Sequence, residues 1–158
     1  MSIKSVVVVG GMLLAMGSNA LAEDVTVGVH MASYHTSSQY WHDGQQYDYN
    51  NINPGLYIRF PSGATIGAFK NSYNQGSVYG GWTFNLLEYS GFTLDLTVGV
   101  VSGYQGYSSG SNGVVKPMVL PSIATPELFD GVRGRLSVIP STQSDVPTVL
   151  HLSVEMVF

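Results

Sequence analysis

The 158-residue chain has no cysteine, which excludes a disulfide framework, a thiolate nucleophile and any cysteine-ligated metal centre. Charge is also scarce. Asp, Glu, Lys and Arg make up 10% of the residues, against about 25% in an ordinary soluble domain. Six basic residues stand against ten acidic ones, a net charge of −4, so the chain has no basic footprint for nucleic acid. The 19 glycines follow no Gly-X-Y period, which excludes a collagen-like rod. Beyond the N-terminal region no stretch approaches the roughly 18 continuous apolar residues of a membrane-crossing helix. Nucleotide loops, dinucleotide fingerprints and zinc motifs are missing too, so no cofactor and no metal are expected.

What is present begins with residues 1–22, which read as a secretory signal peptide. Lys4 gives a positive start, Val6 to Met16 an apolar run, and Ala20-Leu21-Ala22 a small-x-small cleavage pattern. The run is shorter than the roughly 20 apolar residues needed to cross a bilayer. Cleavage after Ala22 leaves residues 23–158, which show no repeat or linker and read as a single domain.

The rest of the chain alternates with period two. Leu150, Leu152, Val154, Met156 and Phe158 share one parity, and His151, Ser153 and Glu155 the other. Phe92, Leu94, Leu96, Val98 and Val100 oppose Thr93, Asp95 and Thr97 in the same way. Such segments are strands with one apolar and one polar face. Eight are expected, near 24–34, 54–60, 63–70, 77–86, 92–102, 114–123, 131–140 and 148–158.

A soluble barrel or sandwich would turn the apolar parity inward, whereas a membrane barrel turns it outward and fills its lumen with the polar parity. Three features favour the second. Arg59, Asp95, Arg133, Arg135 and Glu155 give the polar parity both signs of charge, as a small filled lumen requires. Tyr and Trp gather near strand ends, where amphipathic rings suit the headgroup level. The chain also ends on Phe158, closing an alternating strand as bacterial outer-membrane barrels do. The expected fold is therefore an all-β, eight-stranded antiparallel transmembrane β-barrel in the outer membrane, with no unpaired edge in lipid. A monomer is expected. Both termini then face the periplasm, and the loops at 35–53, 71–76, 103–113 and 141–147 face outward.

On that outer rim, His35 ends the first strand and Asn71-Ser72 follow the third. A histidine, a hydroxyl and an amide converging there have the residue types of proton-transfer chemistry. Ser and Asn also populate loops for turn reasons alone. Pro117 and Pro121 cannot donate ladder hydrogen bonds and should weaken strand pairing around them, either as a lateral opening or as an irregular strand end. His30 reads as a lumen hydrogen-bonder, and His42 with Asp43 as solvated loop residues rather than a cation site. Asp95, Arg133, Arg135 and Glu155 are expected to form a structural lumen network.

Three stretches carry a resemblance: Tyr49-Asn50-Asn51-Ile52-Asn53-Pro54-Gly55-Leu56, Gly67-Ala68-Phe69-Lys70-Asn71-Ser72-Tyr73-Asn74, and Tyr79-Gly80-Gly81-Trp82. With Lys116-Pro117-Met118-Val119-Leu120-Pro121, they resemble the lipid A palmitoyltransferase family of the Gram-negative outer membrane, as a distant member. The resemblance implies a tilted eight-stranded barrel holding one acyl chain in its lumen. It also implies transfer of a palmitoyl-type chain from a membrane glycerophospholipid to a lipid A hydroxyl.

Its essential residues carry over to His35 and Ser72, with Asn71 where the family has Asp. Gly81 matches the glycine that sets the depth of the acyl pocket, and the family's lipid entry favours an opening at Pro117 and Pro121. The family's N-terminal amphipathic helix has no counterpart here. On this reading His35 acts as base toward the acceptor hydroxyl, while Ser72 and Asn71 orient it or polarise the ester. The Asn71 replacement supports a rival: an inactive barrel that binds lipid A or alters the surface without turnover. A small adhesion or resistance barrel is a third reading.

Overall fold

The computed structural model describes residues 25–42, 44–104, 115–141 and 147–158. The expected signal peptide at 1–22, Asp43 and most of the expected loops at 103–113 and 141–147 lie outside them. The described residues form β1 (Thr26–His35), β2 (Gln39–His42), β3 (Gln45–Asp48), β4 (Ile52–Arg59), β5 (Ala64–Lys70), β6 (Gly76–Tyr89), β7 (Phe92–Val101), β8 (Lys116–Ala124), β9 (Val132–Ile139) and β10 (Val149–Val157). Eight of these close an antiparallel barrel in the order β1-β10-β9-β8-β7-β6-β5-β4. The remaining two, β2 and β3, pair as a separate ribbon.

The expected eight-stranded barrel is thus the fold. The ribbon is an addition inside what reads in sequence as one long loop at 35–53. It pairs Tyr40 with Tyr47 and Trp41 with Gln46, and its glutamines conceal the apolar alternation that betrays the other strands.

The barrel is inside-out. Ile66, Val78, Phe84, Val98, Val119, Leu136 and Leu152 lie exposed on the outer wall, while Asp95, Arg135, His151 and Glu155 are buried within. Arg135 Nε donates to Glu155 Oε1 (2.6 Å) and Arg135 Nη1 to Ser122 Oγ (2.6 Å). The same guanidinium pairs with Asp95 through Nη2 (2.7 Å). Arg59 adds a second cation 3.3 Å from Glu155, and the Tyr57 hydroxyl donates to that carboxylate at 2.5 Å. Four of the five charges read as lumen-facing therefore share one network; Arg133 Nε has no hydrogen-bond partner among the described residues. A layer of hydroxyls, Thr65–Thr83–Thr97, lies elsewhere in the lumen at 2.9 and 2.8 Å.

Glycines make room for the two lumen tyrosines. A Cβ on Gly28 would lie 2.0 Å from the Tyr57 ring, and one on Gly67 2.5 Å from the Tyr79 ring. With Phe69 and Met118 packed against them, these rings leave a lumen cavity of only about 30 Å³. That is room for a water or two, so the acyl chain implied by the resemblance has no space in the lumen as it stands.

The turns opposite the His35 end are short. Ser90-Gly91 and Asp130-Gly131 each take positive φ at both positions (51°, 82° and 43°, 77°). This conformation matches the twist of a two-residue hairpin.

Two bulges alter the parity that the sequence suggests. One lies at Leu86 in β6 and the other at Met31 in β1, between His30 and Ala32. The second matters for the site. An extra residue flips every side chain beyond it to the other face. Thr26, Gly28 and His30 face the lumen before the bulge, and Ser33 and His35 face it after.

Candidate active site at the barrel mouth

Three chain segments meet at one end of the barrel: the end of β1, the residues before β4 and the turn after β5. Backbone bonds lock them together. Ser33 N–H donates to Asn51 C=O (2.9 Å) and Asn50 N–H to Ser72 C=O (2.7 Å). The Asn50 amide also donates to the carbonyls of Ile52 (2.7 Å) and Asn71 (3.2 Å).

Within this frame His35 Nε2 lies 2.7 Å from Ser72 Oγ, and His35 Nδ1 lies 2.8 Å from Asn51 Oδ1. An amide oxygen can only accept, so Nδ1 carries the hydrogen and Nε2 accepts from the Ser72 hydroxyl. Tyr49 stacks on the imidazole at 4.6 Å with 3° between the planes. The ring is therefore fixed in plane, in tautomer and in direction. Hydroxyl, base and orienting acceptor form a continuous row, the spacing that nucleophile activation requires.

Neither a protein-family model nor a curated protein matches the chain.

The remaining site residues fall as follows. Asn71 is fully buried but does not touch His35. Its Oδ1 accepts from the N–H groups of Tyr73 (2.9 Å) and Gln75 (3.0 Å). Its Nδ2 donates to Ser77 Oγ (3.0 Å) and Gly103 C=O (2.8 Å). Asn71 thus ties the β5–β6 turn to the segment after β7, and the contact that sequence reasoning gave it belongs to Asn51. That residue was missed because Asn50, Asn51 and Asn53 crowd one turn-like stretch. Only the geometry separates clamp from partner.

Gly81 pairs with Thr65 on one side and Gly99 on the other, and an added Cβ would lie 2.3 Å from Val98 O. It marks a close approach of two strands. Pro117 and Pro121 lie on β8 opposite Val100 and Leu96 of β7. On the other side, β8 meets β9 only through Ser122–Ala124 against Arg135–Ser137. From Lys116 to Pro121 that seam is unpaired, and it opens toward the mouth.

Beneath the mouth runs a second polar row, in which His30 is the lumen hydrogen-bonder expected and its chain of partners is what the sequence did not reveal. Ser33 Oγ lies 2.8 Å from His151 Nδ1, His151 Nε2 lies 2.8 Å from His30 Nδ1, and His30 Nε2 lies 3.0 Å from the Tyr79 hydroxyl. Above the mouth, Tyr40 packs on Tyr49 and Tyr73 (4.9 and 4.8 Å), and Tyr104 meets Tyr73 edge-on at 6.0 Å. Burial pushes the Tyr104 phenol up to about 12, which keeps it neutral. His42 belongs to the ribbon, 6.4 Å from Tyr47. No group of three or more candidate metal ligands occurs among the described residues.

Proposed function

We propose that the protein is an outer-membrane acyltransferase that moves a palmitoyl-type chain from a glycerophospholipid to lipid A. The observation that carries this reading is the Ser72–His35–Asn51 row at the mouth of an inside-out barrel. Such a wall fits hydrocarbon, because apolar side chains face out and ionic ones are paired within. Residues 1–22 supply the export signal, and the rim then lies at the outer leaflet, where lipid A and displaced phospholipid meet. His35 provides the base for proton transfer to and from the reacting oxygens. The unpaired β8–β9 seam at Pro117 and Pro121 gives lipid a lateral route to the mouth. With the lumen packed, the donor's tail stays outside, against the apolar wall, and Gly81 sets no chain length.

Mass spectrometry of lipid A from cells with and without the protein tests this reading; one added acyl chain is expected. Purified protein with phospholipid and lipid A should lose about 10²- to 10⁴-fold in rate on His35→Ala. Undiminished activity in that variant refutes the assignment. The filled lumen favours a second reading, a barrel that binds lipid A without turnover, and an unchanged lipid A mass would select it.

A further inference from the structure

We propose that Ser72 is a covalent nucleophile that carries the acyl group between donor and acceptor, with Asn51 as the residue that positions His35. The proposal rests on the acyl-transfer reading for the identity of the donor, but its geometry is independent of it. The lone pair of His35 Nε2 is already engaged by the Ser72 hydroxyl at 2.7 Å. The proton this base is set to remove is therefore Ser72's own rather than an acceptor's. Ser72 is only half-buried at the mouth, so an ester can reach it. Asn51 holds the opposite ring nitrogen at 2.8 Å, and Tyr49 stacks on the ring face, so the imidazole presents Nε2 in one direction.

The chemistry balances in two halves. Ser72 Oγ bonds to the ester carbonyl carbon as its proton passes to His35 Nε2. The ester C–O bond then breaks, and the lysolipid alcohol leaves with that proton. In the second half an acceptor hydroxyl gives its proton to Nε2 and bonds to the acyl carbon. Ser72 Oγ leaves and recovers its proton from Nε2.

A fluorophosphonate, which reports activated serines, is the probe. The full chain, refolded in detergent micelles, should take one adduct, mapped to the Ser72 peptide, and Ser72→Ala should take none. The Asn51 side chain is exposed at the rim, and its structural bond to Ser33 runs through the backbone, so substitution spares the fold. Asn51→Ala should label about tenfold more slowly, the loss of one orienting hydrogen bond. Asn51→Asp should restore the rate, with the midpoint of its pH profile raised, because a carboxylate beside the ring favours imidazolium. A merely structural asparagine would not move that midpoint. Lipid A acylation by protein whose Ser72 takes no adduct overturns the proposal, as does parental labelling in Asn51→Ala. Labelled Ser72 with lipid A unchanged overturns the acyl-transfer reading instead and leaves the nucleophile standing.

Discussion

Asn71→Asp restores the residue type that the resemblance places before Ser72, and the structure argues that it damages the protein without helping the reaction. The Asn71 amide nitrogen donates to Ser77 Oγ and to Gly103 C=O, at 3.0 and 2.8 Å. A carboxylate has no such donor. Ser77 can rotate its hydroxyl to donate instead, but the Gly103 carbonyl cannot and is left facing another acceptor. A lost hydrogen bond is worth about 1 kcal/mol net, and a buried carbonyl left unsatisfied costs about 1–3 kcal/mol more. The expected loss is about 2–4 kcal/mol. With a denaturant slope of about 2 kcal/mol per molar urea, the unfolding midpoint should fall by about 1–2 M. Urea titration of the micelle-folded barrel, followed by tryptophan fluorescence, measures the shift, and lipid A acylation is assayed on the same samples. A variant as stable as the parent and faster in turnover would refute the view that Asn71 is a structural tie.

Removing the guanidinium in Arg135→Met strands Asp95 and leaves Glu155 with Arg59 and the Tyr57 hydroxyl; a loss of about 3–5 kcal/mol is expected in the same urea assay. The double variant Arg135→Met/Asp95→Asn should recover part of it. Deleting Met31 should straighten β1 yet keep Ser33 and His35 facing the lumen, because Ala32 already pairs with Leu152 and Ser33 with His151. Fluorophosphonate labelling of Ser72 should persist, and its loss with the β-barrel circular dichroism intact would refute this account of the bulge. Because the chain has no cysteine, Pro121→Cys with Val138→Cys can close the β8–β9 seam by oxidation alone. Acylation should then drop at least about tenfold and return on reduction; equal rates in both states would rule out entry through the seam.

Much of the barrel was legible because its physics is repetitive. A wall that is apolar outside and polar inside writes itself into every strand with period two, and Leu150 through Glu155 show it directly. What stayed hidden are departures from that period. The bulges at Met31 and Leu86 need no special residue type, yet each resets the parity beyond it. The β2–β3 ribbon joins through polar and aromatic side chains and has no apolar face to announce it. At the site, His35 and Ser72 were legible by residue type. Their orienting partner was not, because adjacency in sequence pointed to Asn71. Neighbours in a tight turn point apart, and the contact comes from Asn51, far along the chain from Ser72.

The stoppered bore has a consequence of its own. Tyr57, Tyr79 and the Arg135 network fill the lumen around a cavity of about 30 Å³. In the proposed outer-membrane setting, a bore so filled would let many copies crowd a bilayer without opening a wide pore. In that proposed setting the molecule would meet water at its two ends, and the rim, where His35 and Ser72 lie, would be the surface open to partners.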